Sequence, residues 1–183
     1  MMKKYSTEKG RTAMEMLFVL ILLGVVASSV YSLIANVFMR RAHTETIFQV
    51  QNLVDDIKRK FAWRGPSSSG GYTVSGSGGI GQYLSDEKII KHYNEGYIPS
   101  KAGAQIGFAS DSSSFTIKLD NSPREFCVVV LTHSWGNELI DWSISSSSSA
   151  SWQRSLNQKL PMKVNAAQTS CNADTKNIWL KFK

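Results

Sequence analysis

Proline is absent from the first 65 residues of this 183-residue chain. A proline inside a helix breaks or kinks it, so nothing in this stretch interrupts one. Charged residues are absent from residues 16–39, a run of 24 positions. About 20 apolar residues in a helix cross the hydrocarbon core of a bilayer. The two absences predict one uninterrupted helix over residues 12–62, with a first half long enough to span a membrane.

Cysteine and histidine are also scarce, with two and three residues respectively. His43, His92 and His133 share no metal-ligand spacing with Cys127 and Cys171, so we expect no metal site and interpret the histidines as isolated surface or interface residues. In an exported protein, two cysteines predict one disulfide.

Catalytic patterns are missing as well. The serines include no G-x-S-x-G nucleophile motif. Asp55 and Asp56 are adjacent, so on a helix they point about 100° apart and cannot act as an acid/base pair. We therefore expect no enzyme activity, no catalytic residues and no cofactor.

Residues 76–81 satisfy the G-x-G-x-x-G pattern of dinucleotide-binding loops. Such a site requires a strand before the pattern and an acid about 20 residues after it. Only a three-residue stretch, 72–74, precedes it, in a region rich in serine and glycine. We interpret residues 67–81 as a flexible loop, against the alternative of a cofactor site.

The predicted long helix has two different halves. Residues 14–39 are apolar on all sides, and Gly24, Ser28 and Ser29 are the weak helix formers among them. Residues 40–62 are amphipathic, with apolar residues at steps of three and four. That apolar face consists of Ile47, Val50, Val54, Ile57 and Phe61. One half would lie in a membrane or a bundle of like helices, and the other would pack on a domain.

The remaining residues, 63–183, have the length of one globular domain. A helix is expected to stop at residues 64–66, and a short second helix is expected at residues 83–93. Residues 115–119 alternate like a strand, as do Ile140, Trp142 and Ile144. The C-terminus alternates as well, with Ile178, Leu180 and Phe182 on one face and Trp179, Lys181 and Lys183 on the other.

Residues 122–125, Ser-Pro-Arg-Glu, have the form of a capping box with proline at the first helical position. They predict a helix through Cys127 to about Thr132. The valine run at residues 128–130 favours a strand instead. We prefer the helix, because the cap has a specific mechanism.

The N-terminus carries a short basic leader, residues 1–10, that ends in Gly10. Glu15 follows five residues later, at the edge of the apolar run, where a carboxylate is costly in lipid and usually has a partner. One alternative is a stray acid beside a signal anchor, which leaves the glycine and the leader unexplained. Another is a secretory signal peptide cut after residues 25–27, which would require the apolar run to stop there.

The formal net charge is +7, and removal of the leader would leave +5. Such an excess is compatible with binding DNA or an anionic cell surface. We prefer the simpler explanation that it serves solubility and pairing with neighbouring acids.

In combination, these N-terminal residues resemble type IV prepilins: Lys9-Gly10, then Glu15, then the apolar run. The globular part resembles the type IVb branch of that family, that is, the pilins of thin pili and enteric type IVb pili. Residues 114–128 are similar to the family's strand, turn and cysteine-bearing helix. Cys171 and residues 178–182 are similar to its C-terminal disulfide segment and final strand.

The resemblance implies an α+β fold, in which a long N-terminal helix with a protruding apolar half packs on an antiparallel sheet. It implies cleavage between Gly10 and Arg11, methylation of the new N-terminus, and a pairing of Glu15 with the α-amino group of Arg11 in a neighbouring subunit. It also implies a Cys127–Cys171 disulfide. Arg11 stands where the family usually has an apolar residue. The helix-breaking proline of many pilins is absent, so Gly24, Ser28 and Ser29 are expected to loosen the helix instead.

The implied function is that of a structural subunit of a type IV pilus that supports adhesion, conjugation or motility. The implied partners are identical subunits, a prepilin peptidase, inner-membrane assembly machinery, and a host-cell receptor or recipient-cell surface. The precursor would be a single-pass inner-membrane protein and the assembled form an extracellular pilus. Alternatives are a minor pilin, a type II secretion pseudopilin, and a membrane-anchored adhesive module that never polymerises.

Overall fold

The computed structural model describes residues 8–62, 71–74, 79–91, 93, 96–147 and 159–183. The chain divides into two compact units, Met1–Arg41 and Ala42–Lys183. The first helix, α1 (Glu8–Phe61), contributes residues to both units. It begins four residues before the predicted start at residue 12, because no proline or turn sequence stops it there. It ends at Phe61, in agreement with the predicted end at residue 62, and the predicted stop sequence at residues 64–66 lies outside the described residues.

The second half of α1 supplies one wall of the core of the unit Ala42–Lys183. The predicted apolar face is buried as a whole, together with Leu53, which the helical spacing also places on that side. Val50 and Ile57 are completely inaccessible to solvent. Thr46 is buried among them, and its hydroxyl accepts a hydrogen bond of 3.1 Å from the backbone N–H of Ala102. This bond fixes the loop before the second strand against the helix.

The rest of that unit is built on a five-stranded antiparallel sheet, which confirms the predicted α+β class. The elements are α2 (Gly79–Asp86), β1 (Tyr97–Pro99), β2 (Gln105–Ser110), β3 (Phe115–Pro123), α3 (Arg124–Thr132), β4 (Leu139–Ser145), α4 (Val164–Ser170) and β5 (Thr175–Phe182). The strand order is β1-β2-β3-β5-β4, so the C-terminal strand lies inside the sheet.

The predicted alternation of β5 is confirmed on its inner face, where Ile178, Leu180 and Phe182 are buried. The outer face differs from the expectation, because Trp179 is also buried. It lies in register between Lys118 of β3 and Ser143 of β4. A strand with neighbours on both edges has side chains crowding it from both sides, which a pattern of alternation along one strand does not reveal.

Helix α3 forms where the capping sequence predicted it, but the capping mechanism was wrong. Ser122 still belongs to β3, opposite Lys176, and its hydroxyl donates to the carbonyl of Leu119 instead of capping the helix. Pro123 is the N-cap residue and makes no side-chain cap. The first helical N–H, that of Arg124, donates to the carbonyl of Asp174 at 3.1 Å. A tertiary contact therefore satisfies the donor that the sequence assigned to a local cap.

The second helix was placed too late in the chain. It covers Gly79–Asp86, and the residues after it form turns. Gly81, the last glycine of the G-x-G-x-x-G pattern, lies inside this helix, and a β-carbon there would collide with the ring of Tyr93. The glycine allows the Tyr93 ring to approach the helix closely. Residues 67–70 and 75–78 of the predicted loop lie outside the described residues.

The turn between β2 and β3 is held by the carboxylate of Asp111. Its Oδ1 accepts hydrogen bonds from the backbone N–H groups of Ser113 and Ser114, at 2.8 and 2.7 Å. Its Oδ2 accepts from the Ser114 hydroxyl at 2.7 Å and lies 3.1 Å from Nζ of Lys181 on β5. Partial burial alone would raise the pKa of Asp111, but these donors outweigh it and hold the pKa well below its usual range.

We expect Asp111→Asn to lower the free energy of unfolding at pH 7 by about 1 kcal/mol, a small figure because the side chain is half exposed. A depressed folded-state pKa contributes stability above the unfolded value of about 4. The difference between variant and wild type should therefore shrink as the pH falls below about 4. Urea titrations followed by tryptophan fluorescence would measure it, with Asp55→Asn as an exposed control. A difference that grows in acid would contradict this assignment.

Candidate functional site

The first candidate site is the N-terminal half of α1. Every side chain from Ala13 to Ile34 is exposed, including all the large apolar ones. The helix Ala13–Phe61 contains an 18-residue window of mean hydropathy 2.5, so by length and composition it could cross a membrane. Such a surface has a favourable environment only in lipid or against other apolar helices.

Gly10, Arg11 and Glu15 all lie within the first turns of α1. The Glu15 side chain is exposed, and the sequence contains no other charge between it and Arg40. Any cationic partner of this carboxylate must therefore come from the N-terminal side or from another molecule. The cleavage and pairing roles of these three residues stay predictions.

The helix is continuous through Gly24, Ser28 and Ser29, where it was expected to loosen. Both serine hydroxyls donate to the carbonyl of Val25, at 2.9 Å each. That carbonyl also accepts the normal helical bond, and such competition weakens and bends helices. A β-carbon added at Gly24 would meet no atom within 4 Å, so packing does not require this glycine. Helix loosening at these residues stays a prediction, and the competition for the carbonyl of Val25 would be its physical cause.

The second candidate feature is the disulfide between Cys127 of α3 and Cys171, which directly follows α4. Both cysteines are fully buried, and their Cα atoms are 6.0 Å apart. Ala167 of α4 is also buried, and the backbone N–H of Met162 donates to the carbonyl of Leu131 at 2.8 Å. The bridge and this hydrogen bond fix the segment from residue 160 to α4 on α3. The predicted disulfide is confirmed.

The described histidines are not isolated, contrary to the sequence prediction. His43 lies 5.6 Å from the ring of Phe126, and burial lowers its pKa although Glu125 opposes the shift. His133 accepts a 3.0 Å hydrogen bond from the Gln51 amide and packs edge-on against Trp135. Burial lowers its pKa too. Both rings are half-buried and join α1 to α3 or to the loop that follows α3. His92 lies outside the described residues.

Several described lysines pair with acids, in agreement with the simpler explanation of the basic charge. Lys58 pairs with Glu138, Lys60 with Glu87 and Lys101 with Glu45. Each pair joins α1 to a different loop. Within the described residues, no group of three or more histidines, cysteines and acids could hold a metal ion.

The sequence analysis missed a surface groove between α1 and the segments around β1. It has a volume of about 520 Å³ and is lined by Glu45, Phe48, Gln49, Asn52, Leu53, Asp56, Ile89, Ile90, Lys91, Ile98 and Pro99. Phe48 is 59% exposed and lies off the buried face of the helix. In the sequence, the groove could have been suspected from Phe48, a bulky apolar residue among polar neighbours on the outer side of an amphipathic helix.

We expect removal of the disulfide by Cys127→Ala with Cys171→Ala to lower the free energy of unfolding of the unit Ala42–Lys183, which we call the head. The bridge closes a 44-residue separation, which in the chain-entropy model corresponds to about 4 kcal/mol. Reduction of the wild type should produce a matching loss, measured by urea unfolding. Two free thiols in the unreduced, denatured wild-type protein would contradict the bridge.

Known proteins match this chain in structure, whereas comparisons of sequence find no match. Neither a protein-family model nor a curated protein sequence matches this chain. The chain is similar in structure to the crystal structure of a type IVb pilin from Salmonella typhi, with a TM-score of 0.49 and 18% sequence identity. The similarity covers 71% of this chain and 92% of that chain.

Proposed function

We propose that this chain is the precursor of a structural subunit of a type IV pilus, of the type IVb kind. The observation that carries the proposal is the composition of α1. Its first half is uncharged over residues 16–39 and exposed from Ala13 to Ile34, with one acid at the edge. Its second half supplies one wall of the core of a disulfide-bonded domain. A helix of this kind suits a protein whose N-terminal segment passes from a membrane into a bundle of identical helices.

The physical basis of assembly is an exchange of one apolar environment for another. In the membrane, the apolar side chains of residues 16–39 contact lipid. In a filament they contact the same segment of other subunits, so water is excluded in both states. Subunits added by one repeated, non-closing contact form an open helical filament. The transfer needs assembly machinery in the inner membrane, because the exposed helix is insoluble in water between the two states.

Processing would occur at the bond between Gly10 and Arg11. This bond lies in the first turns of α1. A peptidase must unwind these turns to reach the carbonyl of Gly10. Unwinding is cheap there, since glycine disfavours helix by about 1 kcal/mol and helix ends fray. Cleavage removes the basic leader and creates a new α-amino group on Arg11.

That amino group is the proposed partner of Glu15 in a neighbouring subunit. A carboxylate at the membrane edge can remain hydrated in the precursor, but inside a filament it would be buried and needs a cation. Buried ion pairs add little net stability, yet an unpaired charge in a wrong register is strongly disfavoured. The pair would therefore set the stagger between subunits.

The biological role of the pilus, whether adhesion, conjugation or motility, would follow from the surface that the heads display to a host or recipient cell. A minor pilin or secretion pseudopilin would share the processing and the Glu15 pairing. A membrane-anchored adhesive module would share neither. Processing and the effect of Glu15 substitution therefore separate polymerising from non-polymerising functions.

We expect the mature protein, sheared from cells, to begin at Arg11, with a methyl group on its α-amino nitrogen. The basis is the leader that ends in Gly10 and the acid five residues after it. Mass spectrometry of the N-terminal peptide measures this directly. A mature chain beginning at Ser28 would instead indicate a secreted protein with a signal peptide.

We expect Glu15→Ala protein to be made, inserted and largely cleaved, but to form few or no surface filaments. Leaving the buried amine of Arg11 without its partner should cost about 3–5 kcal/mol per subunit. Filaments are counted by electron microscopy, and precursor cleavage is followed by gel mobility. Asp55→Ala, which removes an exposed acid from the same helix, is the matched control and should assemble normally. Normal filament numbers with Glu15→Ala would favour the non-polymerising module.

A further inference from the structure

We propose that His43 and His133 make the contact between α1 and α3 sensitive to acid, so that mildly acidic surroundings loosen α3 from α1. Below, this contact is called the α1–α3 seam and is defined by His43, Gln51, Phe126 and His133. The seam lies wholly within the head, so it is independent of the proposed filament function.

The two histidines lie at opposite ends of the seam. His43 is on α1, and its ring centroid lies 5.6 Å from that of Phe126 in the first turn of α3. His133 directly follows α3, and its Nε2 lies 3.0 Å from the side-chain amide nitrogen of Gln51 on α1. From His43 to Gln51, α1 rises by roughly 12 Å, and from Phe126 to His133 the chain rises by roughly 10 Å. The two helices therefore run side by side in the same direction, with one imidazole at each end.

The surroundings of His133 favour a neutral ring. With the NH2 group of Gln51 as donor, Nε2 of His133 accepts the bond and carries no proton. The ring also packs edge-on against Trp135, which is buried and keeps water from it. A charged ring would point an N–H group at the NH2 group of Gln51, and the amide would have to turn over to restore the bond.

The C-terminus of α3, which ordinarily attracts a cation, already has partners for its carbonyl groups. The carbonyls of residues 129–131 accept from the Thr132 hydroxyl, the indole N–H of Trp135 and the backbone N–H of Met162, at 3.2, 2.9 and 2.8 Å. These bonds occupy the groups that would otherwise solvate a charged His133. The helix end therefore compensates little of the cost of charging that ring.

Charged groups around the seam add one opposing influence. At His133, burial is the one cause of the lowered pKa within the described residues, and Lys58 of α1 pairs with Glu138 of the loop that carries His133. At His43, burial also lowers the pKa, and the Glu125 carboxylate of α3 acts against that shift. Burial prevails at both ends of the seam.

The direction of the effect follows from burial. In an unfolded chain a histidine titrates near pH 6.5. Because the folded head resists protonation of both rings, its stability is full above that value and falls as the pH drops below it. The Cys127–Cys171 bridge holds α3 to the segment before β5. The loss therefore appears on the α1 side of α3, where both imidazoles lie.

The test compares four full-length proteins in detergent micelles at pH 7 and pH 5. Urea unfolding followed by tryptophan fluorescence gives a midpoint for each protein at each pH. The wild-type midpoint should be lower at pH 5. The double variant His43→Gln with His133→Gln keeps polar side chains but cannot titrate there. It should lack most of this acid loss, whatever its midpoint at pH 7.

A substitution of opposite effect is the second arm. Glu125→Gln removes the carboxylate that favours a charged His43, so its acid loss should exceed that of the wild type. Glu125 is exposed, so the core of the head stays intact. Asp55→Asn, also exposed, is the matched control and should behave as the wild type. Titrating groups elsewhere, such as Asp120, whose pKa burial raises, are present in all four proteins and cancel in the comparison.

Hydrogen exchange measured by mass spectrometry locates the loss in the wild type. Exchange is corrected for the pH dependence of the intrinsic rate. At pH 5, the amides of α3 and of residues 47–57 should lose protection before those of β3 and β5, because local opening begins where the stability is lowest.

Every outcome decides for or against the seam. An acid loss that the double histidine variant lacks, and that Glu125→Gln increases, supports it. An equal loss in the double variant, a wild-type midpoint that does not fall in acid, or a loss of protection that begins in the sheet overturns it. If the double variant does not fold at pH 7, Glu125→Gln against Asp55→Asn and the wild-type exchange decide alone. The proposed filament function stands in each case, since it is tested at Gly10 and Glu15.

Discussion

The structure depends on one helix whose two halves require different surroundings. The second half of α1 buries its apolar face, from Ile47 to Phe61, against the sheet. The first half exposes apolar side chains on every side. Burial contributes roughly 25 cal/mol per Å² of apolar surface, so the exposed half is unstable in water unless lipid or other helices cover it. Anchoring and assembly are two solutions to that single constraint.

The head is organised around the chain segment that follows β3. Arg124 begins α3 by donating to Asp174, and Cys127 is bonded to Cys171, so two links tie α3 to the segment before β5. β5 then lies between β3 and β4 in the sheet. The described residues 159–183 are thereby held to the centre of the domain.

Local sequence patterns predicted the helices and strands better than they predicted the contacts that stabilise them. The alternation of residues 115–119 and 178–182 predicted strands that are present, and five of the six buried apolar residues of α1 were predicted, with only Leu53 missed. The helix after Pro123 was predicted through a capping box that does not form, because Ser122 is held in the sheet. The second helix was displaced because the packing of Gly81 against Tyr93 is invisible in a loop-like sequence. The histidines were misjudged for the same reason, since their neighbours lie on other elements.

By itself, the sequence determined the long helix, the division of that helix into apolar and amphipathic halves, the acid at the edge of the apolar run and the pair of cysteines. These features depend on composition and on periods of two to four residues, which are local properties. Only the tertiary structure decided the strand order, the burial of Trp179 and the groove beside Phe48. Each of these depends on residues far apart in the chain. A surface formed by α1, β1 and residues 89–91 has no counterpart in any single stretch of sequence, so periodicity cannot reveal it.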